Sequence, residues 1–122
     1  MTVAARAAAS KAGGTTVVLD VGDVLAITEC FMITSGTNTR QVRTIADEVE
    51  RQVAEAGGPR PLRVEGLDDL SWVLMDYGDF VVHVFLQETR EYYDLERLWR
   101  DVPRLDWEGD GAGQGAVAAG DG

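Results

Sequence analysis

Apolar residues in the middle of the chain recur every three or four positions, which is the period of an α-helix. The pattern runs through "TNTRQVRTIADEVERQVAEAGG", where one face would carry Val42, Ile45, Ala46, Val49, Val53 and Ala56. Asn38 or Thr39 can cap this segment, because their side chains accept hydrogen bonds from free backbone amides. Gly57, Gly58 and Pro59 end it. The segment is therefore predicted to be an amphipathic helix.

Shorter apolar runs on either side of this helix predict strands. They lie at residues 17–21, at about residues 30–34, in "LRVEG", and twice within "WVLMDYGDFVVHVF" at residues 72–85, where a glycine turn separates two runs. The stretch "TREYYDLERLWRDV" then predicts a last helix that ends before Pro103. The inward stripe of this helix would consist of Tyr92, Leu95, Trp99 and Val102, with Leu98 at its margin.

The two ends of the chain differ from its middle. The alanine-rich start superficially resembles a targeting peptide, but it lacks a leucine-rich segment, and alanine favours a short helix at residues 2–12. The order of helix, two strands, helix, three strands and helix predicts an α/β fold with a mixed sheet of about five strands and helices packed on it. We expect one domain over residues 1–108. Residues 109–122 are rich in glycine, alanine and acid, which predicts a disordered tail.

The predicted hairpin has two unlike faces, because side chains alternate along a strand. A loop of Tyr77 and Gly78 would pair Asp76 with Asp79, Leu74 with Val81 and Trp72 with His83 on one face. The other face would pair Met75 with Phe80, Val73 with Val82 and Ser71 with Val84. The second face is nearly all aliphatic and belongs on the core. The first is either an exposed contact surface or a face half covered by the N-terminal helix, with His83 hydrogen-bonded in place.

Composition limits the chemistry that the chain can perform. A net charge of −10 does not suit phosphate-driven binding to nucleic acid as the main source of affinity. The acidity either aids solubility or suits a basic protein partner. The single cysteine, Cys30, excludes an internal disulfide and is interpreted as a buried structural thiol, and a single histidine leaves no usual zinc ligand set. No apolar run reaches the ~18 residues that a membrane-spanning helix needs.

Two segments are candidates for a catalytic or ligand-binding site. The hairpin is weak as a catalytic centre, because Asp76 and Asp79 have no third acid for a metal and His83 has no identifiable nucleophile. The turn between Ser35 and Arg40, within "TSGTNTR", leads from a strand into a helix whose first amides could attract an anion. It lacks a complete glycine-rich phosphate motif, so ordinary helix capping is favoured over nucleotide binding, which stays open as the alternative function.

Three segments together resemble the ribosomal silencing factor family, also called the Iojap family. They are "VVLDVGDVLAITECFMITSGTNTRQVRTIADEVE", "WVLMDYGDFVVHVF" and "REYYDLERLW", and the resemblance covers residues 17–99. It implies a fold similar to nucleotidyltransferases, no enzymatic activity, no metal and no cofactor. It also implies binding to ribosomal protein fourteen of the large subunit, which would block joining of the small subunit and lower translation under nutrient limitation. A cytoplasmic location and a homodimer in the free state are further implications.

The chain departs from active nucleotidyltransferases in one respect. Those enzymes follow a Gly-Ser turn with a metal-binding Asp-x-Asp, whereas here Asp47 and Glu48 are adjacent on a helix and would diverge. The family and the hairpin faces lead to the same hypothesis, in which Trp72 and Leu74 form an apolar anchor and Asp76 pairs with a basic residue of the partner. The full set of expected partner-binding residues is Trp72, Leu74, Asp76, Tyr77, Val81, Glu65 and Glu96.

Overall fold

A computed structural model of the chain describes residues 1–26 and 28–108. Five strands form one sheet in the order β1-β2-β5-β4-β3. Their bounds are β1 Val17–Asp20, β2 Cys30–Gly36, β3 Arg63–Glu65, β4 Trp72–Asp76 and β5 Phe80–Leu86. The central strands β2 and β5 run parallel, and the other neighbours are antiparallel. The predicted α/β fold with a mixed five-stranded sheet is therefore confirmed.

The helices are α1 Thr2–Lys11, α2 Thr39–Glu55, α3 Gln87–Tyr93 and α4 Leu95–Leu98. Helix α2 begins as its sequence predicts, because the Asn38 side chain accepts a hydrogen bond of 2.8 Å from the amide of Gln41. The helix ends before Gly57, which has a φ of +85°. Its apolar stripe is buried as predicted at Val42, Ile45, Ala46, Val49 and Val53.

The predicted last helix is wrong as one continuous element. Asp94 adopts a left-handed conformation, with a φ of 50°, and separates α3 from α4. Because the helix is interrupted, its apolar positions do not all reach the sheet. Leu95, Trp99 and Val102 pack there, whereas Tyr92 is 82% exposed. Tyr92 therefore does not belong to the inward stripe.

The two sides of the sheet are covered unequally. Helices α1 and α2 lie together on one side, where buried alanines of α1 join the aliphatic face of the hairpin, with Val73, Met75, Val82 and Val84. The other side receives a smaller cluster around Leu19, Ile33 and Phe85, covered in part by the segment that follows β5. This cover leaves much of the outer side of β3 and β4 open.

The end of the described chain closes the free edge of β1. The amide of Leu105 donates to the carbonyl of Val18 at 2.8 Å, and the indole of Trp107 donates to the carbonyl of Thr16 at 3.1 Å. Among residues 1–26 and 28–108, no helix is long and apolar enough to cross a bilayer. The tail predicted for residues 109–122 lies outside the described residues.

Candidate functional site

The hairpin of β4 and β5 has the predicted faces but not the predicted pairs. Trp72 lies opposite Phe85, Leu74 opposite His83 and Asp76 opposite Val81. The register is therefore shifted by two residues from the predicted one, and a shift of two returns each side chain to the same face. Trp72, Leu74, Asp76, Val81 and His83 share the side of the sheet away from α1 and α2.

Trp72 lies half-buried on this outer face, at the start of β4. Its ring packs 4.8 Å from the ring of Phe85 and 5.0 Å from that of Tyr93, measured between centroids. The indole nitrogen donates a hydrogen bond of 3.1 Å to Nδ1 of His83. Helix α1 lies on the opposite side of the sheet, so the alternative in which the N-terminal helix covers this face is wrong. The hydrogen-bonded His83 of that alternative is present.

His83 is a structural residue within an aromatic cluster. Its side chain is buried, and the ring of Phe31 packs edge-on at 4.8 Å between centroids. Burial lowers the pKa of His83 to about 4, so the imidazole is neutral at pH 7. Because Nδ1 accepts the indole hydrogen, the proton of the neutral ring sits on Nε2, which has no hydrogen-bond partner among the described residues. With a pKa of about 4, the imidazole is too weak a base to be an efficient general acid–base catalyst at neutral pH.

A groove beside the hairpin supplies the apolar part of the site. Its volume is about 330 Å³, and Leu74, Val81 and His83 contribute to its lining. A neighbouring depression of about 300 Å³ lies between Glu65, Gly66, Trp72 and Leu74. We call these two depressions together the hairpin groove. It is lined by apolar side chains and carries acidic residues at its rim, which is the usual composition of a protein-binding surface.

The rim acids are already engaged within the chain. Asp76 accepts a hydrogen bond of 2.9 Å from the amide of Gly78 through Oδ1, and its Oδ2 lies 3.6 Å from Nε of Arg63. Oε2 of Glu65 lies 3.3 Å from Nη1 of the same arginine. Glu96 is elsewhere: it accepts a hydrogen bond of 2.9 Å from Arg90 and does not line the groove. The structure therefore does not bring Glu96, which was expected among the partner-binding residues, to the groove, and its carboxylate instead neutralises the buried Arg90.

Tyr77 is also misplaced by the sequence prediction. It is buried on the side of α2 and stacks on Phe80 with 4.8 Å between ring centroids. Burial, with a smaller contribution from Glu50, raises the pKa of Tyr77 to about 12. The phenol belongs to the core, so Tyr77 does not stand at the margin of the groove.

The Ser35 turn is filled by other parts of the chain. The buried hydroxyl of Ser35 donates to Oε1 of Gln87 at 2.7 Å and accepts from Nη1 of Arg90 at 2.9 Å. The Ser35 carbonyl accepts hydrogen bonds from the amides of Gly13 and Gly14, at 2.9 and 3.3 Å. A Cβ atom on Gly14 would collide with the Ser35 hydroxyl. The space that a bound phosphate would need at Ser35 is thus occupied by protein atoms.

Other candidate chemistry is equally unsupported by geometry. Cys30 is buried, and burial, followed by the charges of Asp20 and Glu29, raises the pKa of its thiol. A protonated, enclosed thiol is a poor nucleophile, in agreement with the structural role predicted for Cys30. Within the described part of the chain, no group of three or more histidine, cysteine, aspartate and glutamate side chains is placed to hold a metal ion.

Comparison with known proteins identifies the family. A family model described as "Ribosomal silencing factor during starvation" matches residues 1–119. The chain belongs to the ribosomal silencing factor family. A curated member from Bacillus subtilis is 39% identical over 104 residues, which cover 85% of this chain and 87% of that protein. The resemblance stated from the sequence motifs is therefore confirmed.

Two further proteins are similar to this family member, one in solved structure and one in sequence. A crystal structure of a protein from Chromobacterium violaceum superposes with a TM-score of 0.75 at 32% identity, covering 96% of this chain and 87% of that one. A mouse protein named "Mitochondrial assembly of ribosomal large subunit protein 1" is 33% identical over 84 residues, which are 67% of this chain and 37% of that protein. The name of the mouse protein describes assembly of the large ribosomal subunit in mitochondria.

Several residues of the hairpin groove in this family member were missed by sequence reasoning. Leu25, Thr28, Phe31, Leu62 and Arg63 line it with the predicted residues. Phe31 could have been found, because it alternates with the core-facing residues on either side of it in β2. Leu25 and Thr28 precede β2 in an irregular segment, and no period in the sequence predicts which way such side chains point.

Proposed function

We propose that this chain binds ribosomal protein fourteen, a basic protein of the large ribosomal subunit, through the hairpin groove. Binding there blocks joining of the small subunit by steric exclusion and represses translation in the cytoplasm when nutrients are limiting. The family description, which names silencing during starvation, supports the regulatory part. The name of the mouse relative supports the large subunit as the setting. No catalytic step is part of the proposal.

The observation that carries the proposal is an apolar groove left open on a strongly acidic chain. Trp72, Leu74 and Val81 face outward from β4 and β5, where no helix covers them completely. Exposed apolar surface of this kind is retained where a partner buries it, and half-buried aromatic residues are common energetic centres of interfaces. The net charge of −10 favours a basic partner and accelerates its encounter.

The proposal is tested by placing a positive charge in the groove. Leu74→Arg should abolish co-sedimentation with purified large subunits, because the arginine fills the groove and repels a basic partner. Val3→Arg is the matched control: it adds the same charge at a partly exposed apolar residue on α1, on the other side of the sheet. Unchanged binding by a folded Leu74→Arg variant would show that the hairpin groove is not the docking site.

The steric mechanism is tested separately from the docking site. Large subunits saturated with the protein should fail to form joined ribosomes when small subunits and magnesium are added, and the Leu74→Arg variant should leave joining unaffected. If the protein binds large subunits tightly but joining proceeds normally, the protein docks on the large subunit without excluding the small one.

Nucleotide binding at the Ser35 turn is disfavoured as a second function, because Gln87, Arg90 and the loop at Gly14 fill that space. A ligand that binds the native state must raise its melting temperature. We therefore expect no thermal shift with nucleoside triphosphates and magnesium at millimolar concentrations. A reproducible rise of several degrees would revive the nucleotide-binding alternative.

A further inference from the structure

Arg63 forms ion pairs with both acidic residues at the rim of the hairpin groove, Glu65 and Asp76. Arg63 lies directly opposite Asp76 on the paired strands β3 and β4, so the two side chains share a face. Glu65 follows two positions after Arg63 on the same strand and shares that face as well. The guanidinium reaches both carboxylates, with Nε 3.6 Å from Asp76 and Nη1 3.3 Å from Glu65.

We propose that Arg63 is an internal competitor for the partner's basic residue, so that docking on the hairpin groove requires its guanidinium to be displaced from Asp76. This inference rests on the proposed function and adds a residue that tunes it. The rim carries two negative charges and one positive charge while Arg63 is in place. A lysine or arginine of the partner then meets a rim with a net charge of −1 instead of −2.

The geometry allows this displacement at low cost. The side chains of Arg63 and Glu65 are 63% and 59% exposed, so water can replace the lost contacts. Exposed ion pairs at such distances are weak and are screened by salt. Asp76 is less exposed, at 26%, and its Oδ1 stays fixed by the amide of Gly78. The carboxylate therefore keeps its position while the arginine moves away and a partner's cation takes its place.

Substituting a competing residue should change the binding affinity in the opposite direction from substituting a contact residue. Removing a contact weakens binding, whereas removing a competitor strengthens it. Arg63→Gln should therefore tighten binding to large subunits by about two- to five-fold at low salt, the range that corresponds to one exposed ion pair. The gain should shrink as salt is raised, because screening weakens both the internal pair and the pair formed with the partner.

The experiment measures the dissociation constant for large subunits with four variants. Arg43→Gln is the matched control, since it also removes one positive charge from an exposed pair, with Asp47 on α2. Arg63→Gln is then compared with Asp76→Asn and with the double variant. If Arg63 competes with the partner for Asp76, removing Arg63 should change the affinity much less when residue 76 is already a neutral asparagine.

The expected result is tighter binding by Arg63→Gln, no comparable change in Arg43→Gln, and loss of most of the gain in the Asp76→Asn background. Equal tightening by both arginine variants would reduce the effect to net charge and overturn the inference. Weaker binding by Arg63→Gln would make Arg63 a contact residue and overturn it as well. Both of these results would leave the proposed docking site unchanged. The docking site itself would be ruled out if the Leu74→Arg variant bound large subunits as tightly as the wild type.

Discussion

The indole nitrogen of Trp72 donates a hydrogen bond of 3.1 Å to Nδ1 of His83, diagonally across the β4–β5 pair. This contact joins Trp72, a half-buried residue that lines the hairpin groove, to a buried residue of the sheet. It fixes the indole plane, and it requires a neutral imidazole, because a protonated His83 has no free lone pair to accept the hydrogen. The shape of the groove is thus linked to the protonation state of one histidine.

The first prediction concerns pH and stability. Burial lowers the pKa of His83 to about 4 in the folded state, whereas the unfolded chain titrates near 6.5. Between these values the unfolded state binds more protons, so the free energy of unfolding falls as pH decreases from about 6.5 to about 4. The loss should approach ~3 kcal/mol across the whole window. Urea unfolding at pH 7.5, 6.5, 5.5 and 4.5 measures it.

His83→Asn is the control for the pH prediction, because asparagine does not titrate and offers an acceptor to the indole of Trp72. The variant should be less stable at pH 7.5 but should lose less stability between pH 6.5 and 4.5. Hydrogen bonds from Arg51 and Gln52 hold the pKa of Glu48 at about 2, and because this residue is common to the wild type and the variant, its effect near pH 4.5 cancels in the comparison. Parallel curves for the wild type and the variant would contradict the assignment to His83.

The second prediction separates the two roles of Trp72. Trp72→Ala removes ring contacts with Phe85 and Tyr93, which should lower the free energy of unfolding by about 2 kcal/mol. It should also weaken binding to large subunits by about 2 kcal/mol or more, as truncation of an aromatic hot-spot residue does. Both quantities are measured well below the melting temperature. Lost stability with unchanged affinity would make Trp72 a packing residue only.

Trp72→Phe distinguishes the ring from its nitrogen. Phenylalanine keeps an aromatic surface in the groove but cannot donate to His83. We therefore expect most of the docking affinity to persist, together with a loss of stability of about 1 kcal/mol from the unpartnered imidazole nitrogen. A Trp72→Phe variant that binds as poorly as Trp72→Ala would assign the affinity to the indole nitrogen or to the precise ring shape.

The hairpin shows which parts of the site are accessible to sequence reasoning. Its faces were predicted correctly, because alternation along a strand depends only on whether a residue number is odd or even. Its pairs were not, because they depend on which residues form the turn. The loop consists of Gly78 and Asp79, closed by a hydrogen bond of 3.0 Å from the amide of Tyr77 to the carbonyl of Phe80. Gly78 has a φ of +89° at the first loop position, a conformation that favours glycine there.

The remaining errors in the site come from contacts between distant parts of the chain. Glu96 was expected among the partner-binding residues, but it binds Arg90, which also binds the carbonyl of Thr15, 75 positions earlier. Nothing in local spacing indicates such a contact. Tyr77 was expected in the hairpin loop and among the partner-binding residues, yet its ring is buried in the cluster of α2 and stacks on Phe80.

The third prediction concerns the contact between Arg90 and Glu96. Arg90 is buried and donates to Glu96 at 2.9 Å, to the carbonyl of Thr15 at 2.6 Å and to the hydroxyl of Ser35 at 2.9 Å. Arg90→Met should lower the free energy of unfolding by about 3 kcal/mol, because the partly buried carboxylate of Glu96, the buried hydroxyl of Ser35 and the carbonyl of Thr15 lose their donor. Urea titration measures the loss.

Arg43→Met is the matched control for Arg90. Arg43 also pairs with a carboxylate, that of Asp47, but both side chains are exposed on the surface of α2. Its removal should leave the unfolding midpoint nearly unchanged, because solvated ion pairs contribute little to stability. A comparable loss in both variants would mean that the contacts of Arg90 with Thr15 and Ser35 contribute little.

The last prediction concerns the backbone that presents Trp72. Gly66 has a φ of +91°, and a Cβ atom there would collide with the carbonyl oxygen of Trp72 and lie 3.3 Å from the Cα of Val73. Gly57 has a similar φ of +85° with open space around its Cα, so Gly57→Ala measures the cost of conformation alone, about 1–2 kcal/mol. Gly66→Ala should lower the free energy of unfolding by at least ~2 kcal/mol more than Gly57→Ala, because rigid backbone must move.

Gly66→Ala should also weaken binding to large subunits more than Gly57→Ala does, since β4 shifts at Trp72. Equal stabilities of the two variants, measured by urea unfolding, would show that the β3–β4 connection adapts without displacing the groove.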